Sequence, residues 1–378
     1  MLYYIDNTVA SALQDRELSE DEKWFFTDLA GAYHKGKCYL CGDSASLIML
    51  AEKLSQSGSI FYNVLAKHME HGAVIQAVKT VFVISFSEDG FGATLPVVLT
   101  SPDKVVFIPI EKAIQNQWQM GNNCCLLCEN LTDNDFYYLI GKYYCIQHGY
   151  DQLHLSFHNE NGGGDTTATV FTKCVEKEKK PTLCIIDSDR KHGETEQFPN
   201  NPAIGNTLKH VRDAKNKLEI VSKHPPFFLQ ELHVHEAENL IPMDVLSRIE
   251  QVNAHGGKQL LMQLRGIGKE EAILYYDFKK GLPYILEKPK QQYWKELLLL
   301  LGGKETEMPP DKKPEKGDEQ EGKSMFFPAV GRNDLLEQAV QSMKDNPKYQ
   351  VDSYLEVLWD EIGLTMLTWG CSSATSSV

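Results

Sequence analysis

Three short apolar runs, spaced by helix-length stretches, constrain this chain more than any other feature. CCLLCEN (124–130), LHLSFHN (153–159) and TLCIIDSD (182–189) have the length of strands and carry apolar residues on both faces. A helical pattern starts near Thr132, with Phe136, Tyr137, Leu139 and Ile140 on one face, and residues 166–173 open the next helix. Strand, helix, strand, helix, strand with doubly apolar strands predicts a parallel sheet covered by helices. The expected fold class is therefore α/β, with a central parallel sheet flanked by helices, a mixed helical and β N-terminal region, and a helical C-terminal region.

With 378 residues, 42% of them apolar, the chain has material for more than one core, which excludes a disordered or disulfide-stapled class. The longest aliphatic run, residues 297–301, is far short of the roughly 20 residues a membrane span needs. The N-terminus lacks a basic start followed by an apolar block, so no signal peptide is expected. Nine cysteines, an odd number scattered through the chain, read as reduced thiols of a cytoplasmic protein. A net charge of −14 excludes a uniformly basic nucleic-acid coat but leaves room for a local basic groove.

Five regions follow from these shifts in pattern. Residues 1–120 read as helical up to about residue 75 and then β-rich, the first helix announced by a capping box at Ser19 and Glu22. Residues 121–245 form the α/β domain, and 246–301 a helical extension. Residues 302–324, with 12 charges in 23 residues, three prolines and no aromatic, read as a flexible linker running to about residue 325. Residues 326–378 read as a helical C-terminal segment.

The chemistry sits at the strand ends. Glu129 closes the first run of the α/β block, and Asp187 and Asp189 close the third. In a parallel sheet, side chains beyond the carboxyl ends of strands converge on the ligand crevice. Two aspartates two residues apart point the same way in an extended segment, and with a third acid they form the oxygen set that Mg²⁺ requires. A glutamate after the first strand, a glycine turn (Gly162, Gly163, Gly164) after the second and Asp187-Ser188-Asp189 after the third resemble the TOPRIM domain of topoisomerases, primases and OLD-type nucleases.

The resemblance covers residues 124–189 and, more loosely, the stretch to residue 242. It implies a nuclease in which Asp187 and Asp189 hold Mg²⁺ (or Mn²⁺) and Glu129 is a further ligand or a general acid/base. Glu236 and Glu238 in EAENLIP would be the additional acidic element of some relatives. It also implies a role in bacterial defence against phage beside a separate ATPase or sensor protein, because no GxxxxGK[ST] occurs in this chain. The spacing from Glu129 to Asp187 is long for a minimal domain of this kind.

Alternatives stay open at this level. A DxD motif also holds Mn²⁺ and a nucleotide-sugar in glycosyltransferases, and capped turns in a non-catalytic interaction module carry the same residues. A dehalogenase-like phosphatase is disfavoured, since Arg190 and Lys191 follow Asp189 where a threonine is expected. Cys38 and Cys41 form a CxxC half-site for structural Zn²⁺, with His34, His68 and His71 or Cys145 and His148 as available mates. Two buried thiols are the plainer account, as core packing is for Cys124, Cys125 and Cys128.

LLMQLRGIGKEEA (260–272) fits a helix-hairpin-helix outline that would offer backbone N–H groups and Lys269 to a phosphate, although a plain helix connection fits as well. Lys191, Lys209 and Arg212 are the other candidate contacts to nucleic acid. Asp6, after an apolar, strand-like start as in PIN-type nucleases, finds no matching acidic set and reads as a turn cap. A homo-oligomer is left open.

Overall fold

The N-terminal quarter opens with β1 (Leu2–Ile5), α1 (Asn7–Leu13), α2 (Glu20–His34), β2 (Tyr39–Gly42), α3 (Ser44–Lys53), α4 (Gly58–Ala66) and α5 (His68–Ala77). β3 (Thr80–Ser85), β4 (Lys104–Pro109) and α6 (Ile110–Gln115) complete it. This structure, a computed structural model, describes residues 1–54, 57–87, 103–190, 192, 204–221, 223–254, 257–283, 293–294, 296–297, 299–301, 325–327 and 329–373. The charged stretch 302–324, the β-rich run 93–100 and Lys191 lie outside the described residues. The chain divides into two compact units: residues 1–185, 210–230 and 360–378, and residues 186–209 and 231–359.

In the first unit the four opening strands form a sheet of order β2-β1-β3-β4, with all neighbours parallel. The first 75 residues thus contain two strands in a stretch read as mostly helical. Both strands are four residues long and buried throughout, so neither shows the alternation that announces a strand. The capping box expected for α2 is present: Glu22 N–H donates to Ser19 Oγ at 3.2 Å, and Ser19 N–H donates to the Glu22 carboxylate at 2.8 Å.

The α/β block follows the order read from the sequence. β5 (Cys124–Cys128), α7 (Leu131–Gln147), β6 (His154–Leu155), β7 (Phe157–Asn161), α8 (Thr167–Thr172), β8 (Thr182–Ile186), α9 (Asn206–Ile220) and β9 (Phe227–Glu231) come in succession. The second sheet has order β7-β5-β8-β9, with β5 parallel to both β7 and β8. This is the expected α/β class. β5 and β8 are buried at every position, which is why their composition is apolar on both faces.

A core of Leu2, Tyr4, Val81, Val83, Tyr144, Cys145, Leu155 and Leu367 joins the first sheet to α7 and to the C-terminal end of the Ser353–Gly370 helix. Each such fully buried aliphatic side chain contributes roughly 1.5–3 kcal/mol. The N-terminal ammonium donates to the Cys371 carbonyl at 2.7 Å, which ties the two ends of the chain into this unit.

The second unit is built from short elements. After β9 the chain runs through a 3₁₀ turn (Ala237–Leu240), α10 (Met243–Leu246), α11 (Glu250–Ala254), α12 (Gly257–Gly266) and a longer 3₁₀ segment (Glu270–Tyr275). Asn239 fixes this stack: its amide donates to the Ile273 carbonyl at 2.6 Å and to the Tyr276 carbonyl at 2.7 Å. The sheet-like character read over residues 227–242 therefore ends at Glu231, because the polar HEAEN segment turns to meet these carbonyls.

Candidate functional site

In the first unit, β5 delivers Glu129 directly onto the N-terminus of α7. Asn130 caps that helix, accepting from Asp133 N–H at 3.0 Å, and Asp133 accepts from Asn130 N–H at 3.1 Å. The glycine run predicted to follow the second strand lies alongside. Gly162 N–H donates to the Cys128 carbonyl at 2.8 Å, and Gly163 N–H to the Glu129 carbonyl at 2.9 Å. Gly163 holds φ of 70°, a left-handed conformation in which a side chain is strained, and a Cβ on Gly162 would stand 2.3 Å from Thr167 Oγ1. The glycines thus let the loop after β7 lie against the backbone that presents Glu129, which is half-buried.

In the second unit, β8 ends at Ile186, and the Asp187–Asp189 segment leaves the extended conformation expected of it. Asp189 has φ of 55°, an uncommon left-handed value for a non-glycine residue. The segment is held from the side by the chain following β9. Leu232 N–H donates to the Ile186 carbonyl at 3.0 Å, Asp189 N–H donates to the His235 carbonyl at 2.9 Å, and the Ser188 hydroxyl donates to the Val234 carbonyl.

The turn carries Asp189 to His235 and Glu236, so that one ligand atom of each lies within 4.8 Å of the others. His235 is fully buried, with Nε2 at 3.6 Å from Asp277 and 3.9 Å from Glu236. Lys279 reaches Glu236 at 2.9 Å and Glu238 at 3.3 Å. Burial pushes the Glu238 carboxyl above its ordinary range, and Lys279 opposes that rise. Burial pulls the Lys279 ammonium down, but Glu238 and Glu236 outweigh it and hold the group above the ordinary lysine range.

Among the described residues, Glu129, Asp187, Cys38 and Cys41 belong to no group of three metal-ligating side chains. Asp187 is half-buried beside Asp189. Cys41 lies within β2, its thiol donating to the Tyr3 carbonyl at 3.5 Å, and burial pushes the Cys38 thiol up to about 12. All nine cysteines are free and buried. Lys209 is exposed on α9 and Arg212 is half-buried on it.

Lys269 is exposed after Gly268, but the turn's N–H groups are engaged. Gly268 donates to the Arg265 carbonyl at 3.0 Å and Lys269 to the Leu264 carbonyl at 2.9 Å, which closes α12 as a glycine cap and leads into a 3₁₀ segment. That is the plain helix connection of the two readings.

His235, Asp277 and Lys279 were not among the sequence candidates. HVHEAEN contains a histidine next to an acid already chosen, a signal that could have flagged His235. Nothing local marks Asp277 and Lys279, which arrive from a turn about forty residues further on.

Among the described residues no helix is long and apolar enough to cross a membrane. No family model, curated protein or solved structure matches the chain significantly.

Proposed function

We propose that the chain is a Mg²⁺- or Mn²⁺-dependent phosphodiesterase acting on nucleic acid. The observation that carries this reading is the convergence of Asp189, His235 and Glu236 just past the end of a buried parallel strand, with Asp277 and Lys279 against them. The donor set fits such an ion: two carboxylates suit a hard divalent cation, and the added imidazole favours Mn²⁺ over Mg²⁺. Asp189, Glu236 and His235 would hold the ion, with Asp187 two residues before Asp189 in the chain. When bound, such an ion supplies Lewis-acid polarisation of a phosphoryl oxygen and a water acidic enough to ionise near neutral pH.

The remaining residues support that site. His235 is clamped through its backbone N–H to the Leu274 carbonyl at 2.8 Å, which would hold its ring beside the two carboxylates as the third ligand. Lys279 keeps Glu236 and Glu238 compatible with burial. Glu129 belongs to the reading only through the resemblance to TOPRIM nucleases, as the acid that follows β5. The resemblance to TOPRIM nucleases extends the proposal to phage defence, in the cytoplasm, with a separate ATPase or sensor as partner.

The test uses the purified full chain with supercoiled plasmid and with RNA, in Mg²⁺ or Mn²⁺, beside Asp187→Ala and Asp189→Asn. Cleavage by the wild type and its loss in both variants is the expected result. Equal cleavage by all three proteins would remove the proposal.

A further inference from the structure

The first unit holds a second group of ligand atoms, chemically unlike the first. Cys125 on β5, Glu160 on β7 and Cys174 each place one ligand atom within 4.8 Å of the others. Both sulfurs are fully buried and lie 3.8 Å apart. A disulfide needs about 2.05 Å, whereas two thiolates on one tetrahedral zinc, at about 2.3 Å each, stand about 3.8 Å apart.

The third member argues against an ordinary pair of core thiols. Glu160, half-buried at the sheet edge, sets a carboxylate oxygen against the two buried sulfurs. The nearby lysines, Lys173 and Lys180, form their ion pairs with Glu178, at 2.7 and 2.6 Å, although Lys173 also senses the Glu160 charge. Among the described residues, the side chain within ion-pair reach of Glu160 is His158, whose Nε2 lies 3.5 Å from it. Strand register explains the grouping. Cys125 is paired with His158, and Glu160 stands two residues on, so all three share one face of the sheet.

Cys174 reaches them from a single π-helical turn, residues Lys173–Lys177, inserted after α8. Such turns are rare and recur at functional sites. The Cys125 thiol donates to the Cys174 sulfur, so the two sulfurs already face each other.

We propose that Cys125, Cys174 and Glu160 bind a zinc ion, with a water in the fourth position. Zn²⁺ replaces the two thiol protons, which leave to solvent, and no electron transfer is involved. The site is separate from the carboxylate cluster of the second unit and stands whether or not that cluster cleaves nucleic acid.

The experiment is metal analysis of the full chain, followed by Co²⁺ titration of the zinc-stripped protein. Stoichiometric zinc in the wild type, its loss in Cys174→Ser and its retention in Cys41→Ser is the expected pattern. Co²⁺ should give a thiolate-to-metal charge-transfer band with tetrahedral ligand-field bands. Mg²⁺ or Mn²⁺ at the carboxylates gives no such spectrum, so the two sites are read independently. The cobalt spectrum is taken on the wild type and decides the matter even if the serine variant fails to fold. Absence of zinc together with a silent cobalt titration would overturn the proposal. So would a mass two hydrogens lower, assigned to a Cys125–Cys174 disulfide in the protein as isolated.

Discussion

A Cβ placed on Gly205 would stand 1.8 Å from Oδ2 of Asp189, so the start of α9 is bare where that carboxylate lies. Gly205 N–H also donates to the Ser188 carbonyl at 3.0 Å, fixing the glycine against the acidic turn. Gly205→Ala should therefore displace the Asp189 carboxylate and leave the rest of the fold in place. The expected result is strongly reduced metal-dependent cleavage with a melting temperature within a few degrees of wild type. Cleavage assays beside circular-dichroism melts check it, and unchanged cleavage would contradict it.

If Asp189 and Glu236 hold a divalent ion, the ion stabilises the folded chain by mass action. At a concentration ten times the dissociation constant the gain is about 1.4 kcal/mol. Mn²⁺ should raise the melting temperature of the wild type and leave that of Asp189→Asn nearly unchanged. Differential scanning fluorimetry across a Mn²⁺ series reads this directly.

Lys279 is the counter-charge of two acids, one of them, Glu238, only 5% exposed. Lys279→Met leaves those carboxylates uncompensated, and breaking such a pair is expected to destabilise the fold by about 2–3 kcal/mol. The folded pKa of Lys279 is raised, so the stability it contributes is present below the unfolded value of 10.5 and is lost as pH rises through the folded value. Denaturant titrations should show the wild type and Lys279→Met far apart at pH 7. The difference should shrink in strong alkali.

Asp6 caps α1 through Oδ1, which accepts from Thr8 N–H at 3.1 Å, while Oδ2 is buried and finds no hydrogen-bond partner among the described residues. Burial raises its pKa, with hydrogen bonds from Thr8 and Ser85 opposing the rise. A raised acid binds more protons folded than unfolded, so ionised Asp6 destabilises the chain. That penalty is absent below the unfolded value of 3.8 and complete above the folded one. Asp6→Asn keeps the cap acceptor and removes the charge. It should raise the melting temperature by about 2–4 °C at pH 7 and by nothing below pH 3.8.

The α/β block was legible because its strands are buried on both faces, and burial writes itself into composition: CCLLC and TLCII carry a single polar residue, Thr182 at the start of β8. The strand-like start before Asp6 is β1, whereas β2, four buried residues long, is too short to show a period. Asp6 was read as a cap, which it is; the solitary buried oxygen on its far side has no counterpart in YYIDNT. Asp187 and Asp189 were expected to face the same way along an extended strand. The left-handed turn at Asp189, imposed by its N–H bond to the His235 carbonyl, turns it toward His235 and Glu236 instead.

By itself the sequence determined the order of strands and helices in the α/β block, the cap that begins α2, and which acids follow which strands. These depend on neighbours within a turn or two of the chain, where propensity and burial act locally. The tertiary structure alone decided which acids meet a histidine and a lysine, and that Cys125, Glu160 and Cys174 meet at all. Those partners lie tens of residues apart, and their juxtaposition is set by strand register and by carbonyls that must each find a donor once water is excluded.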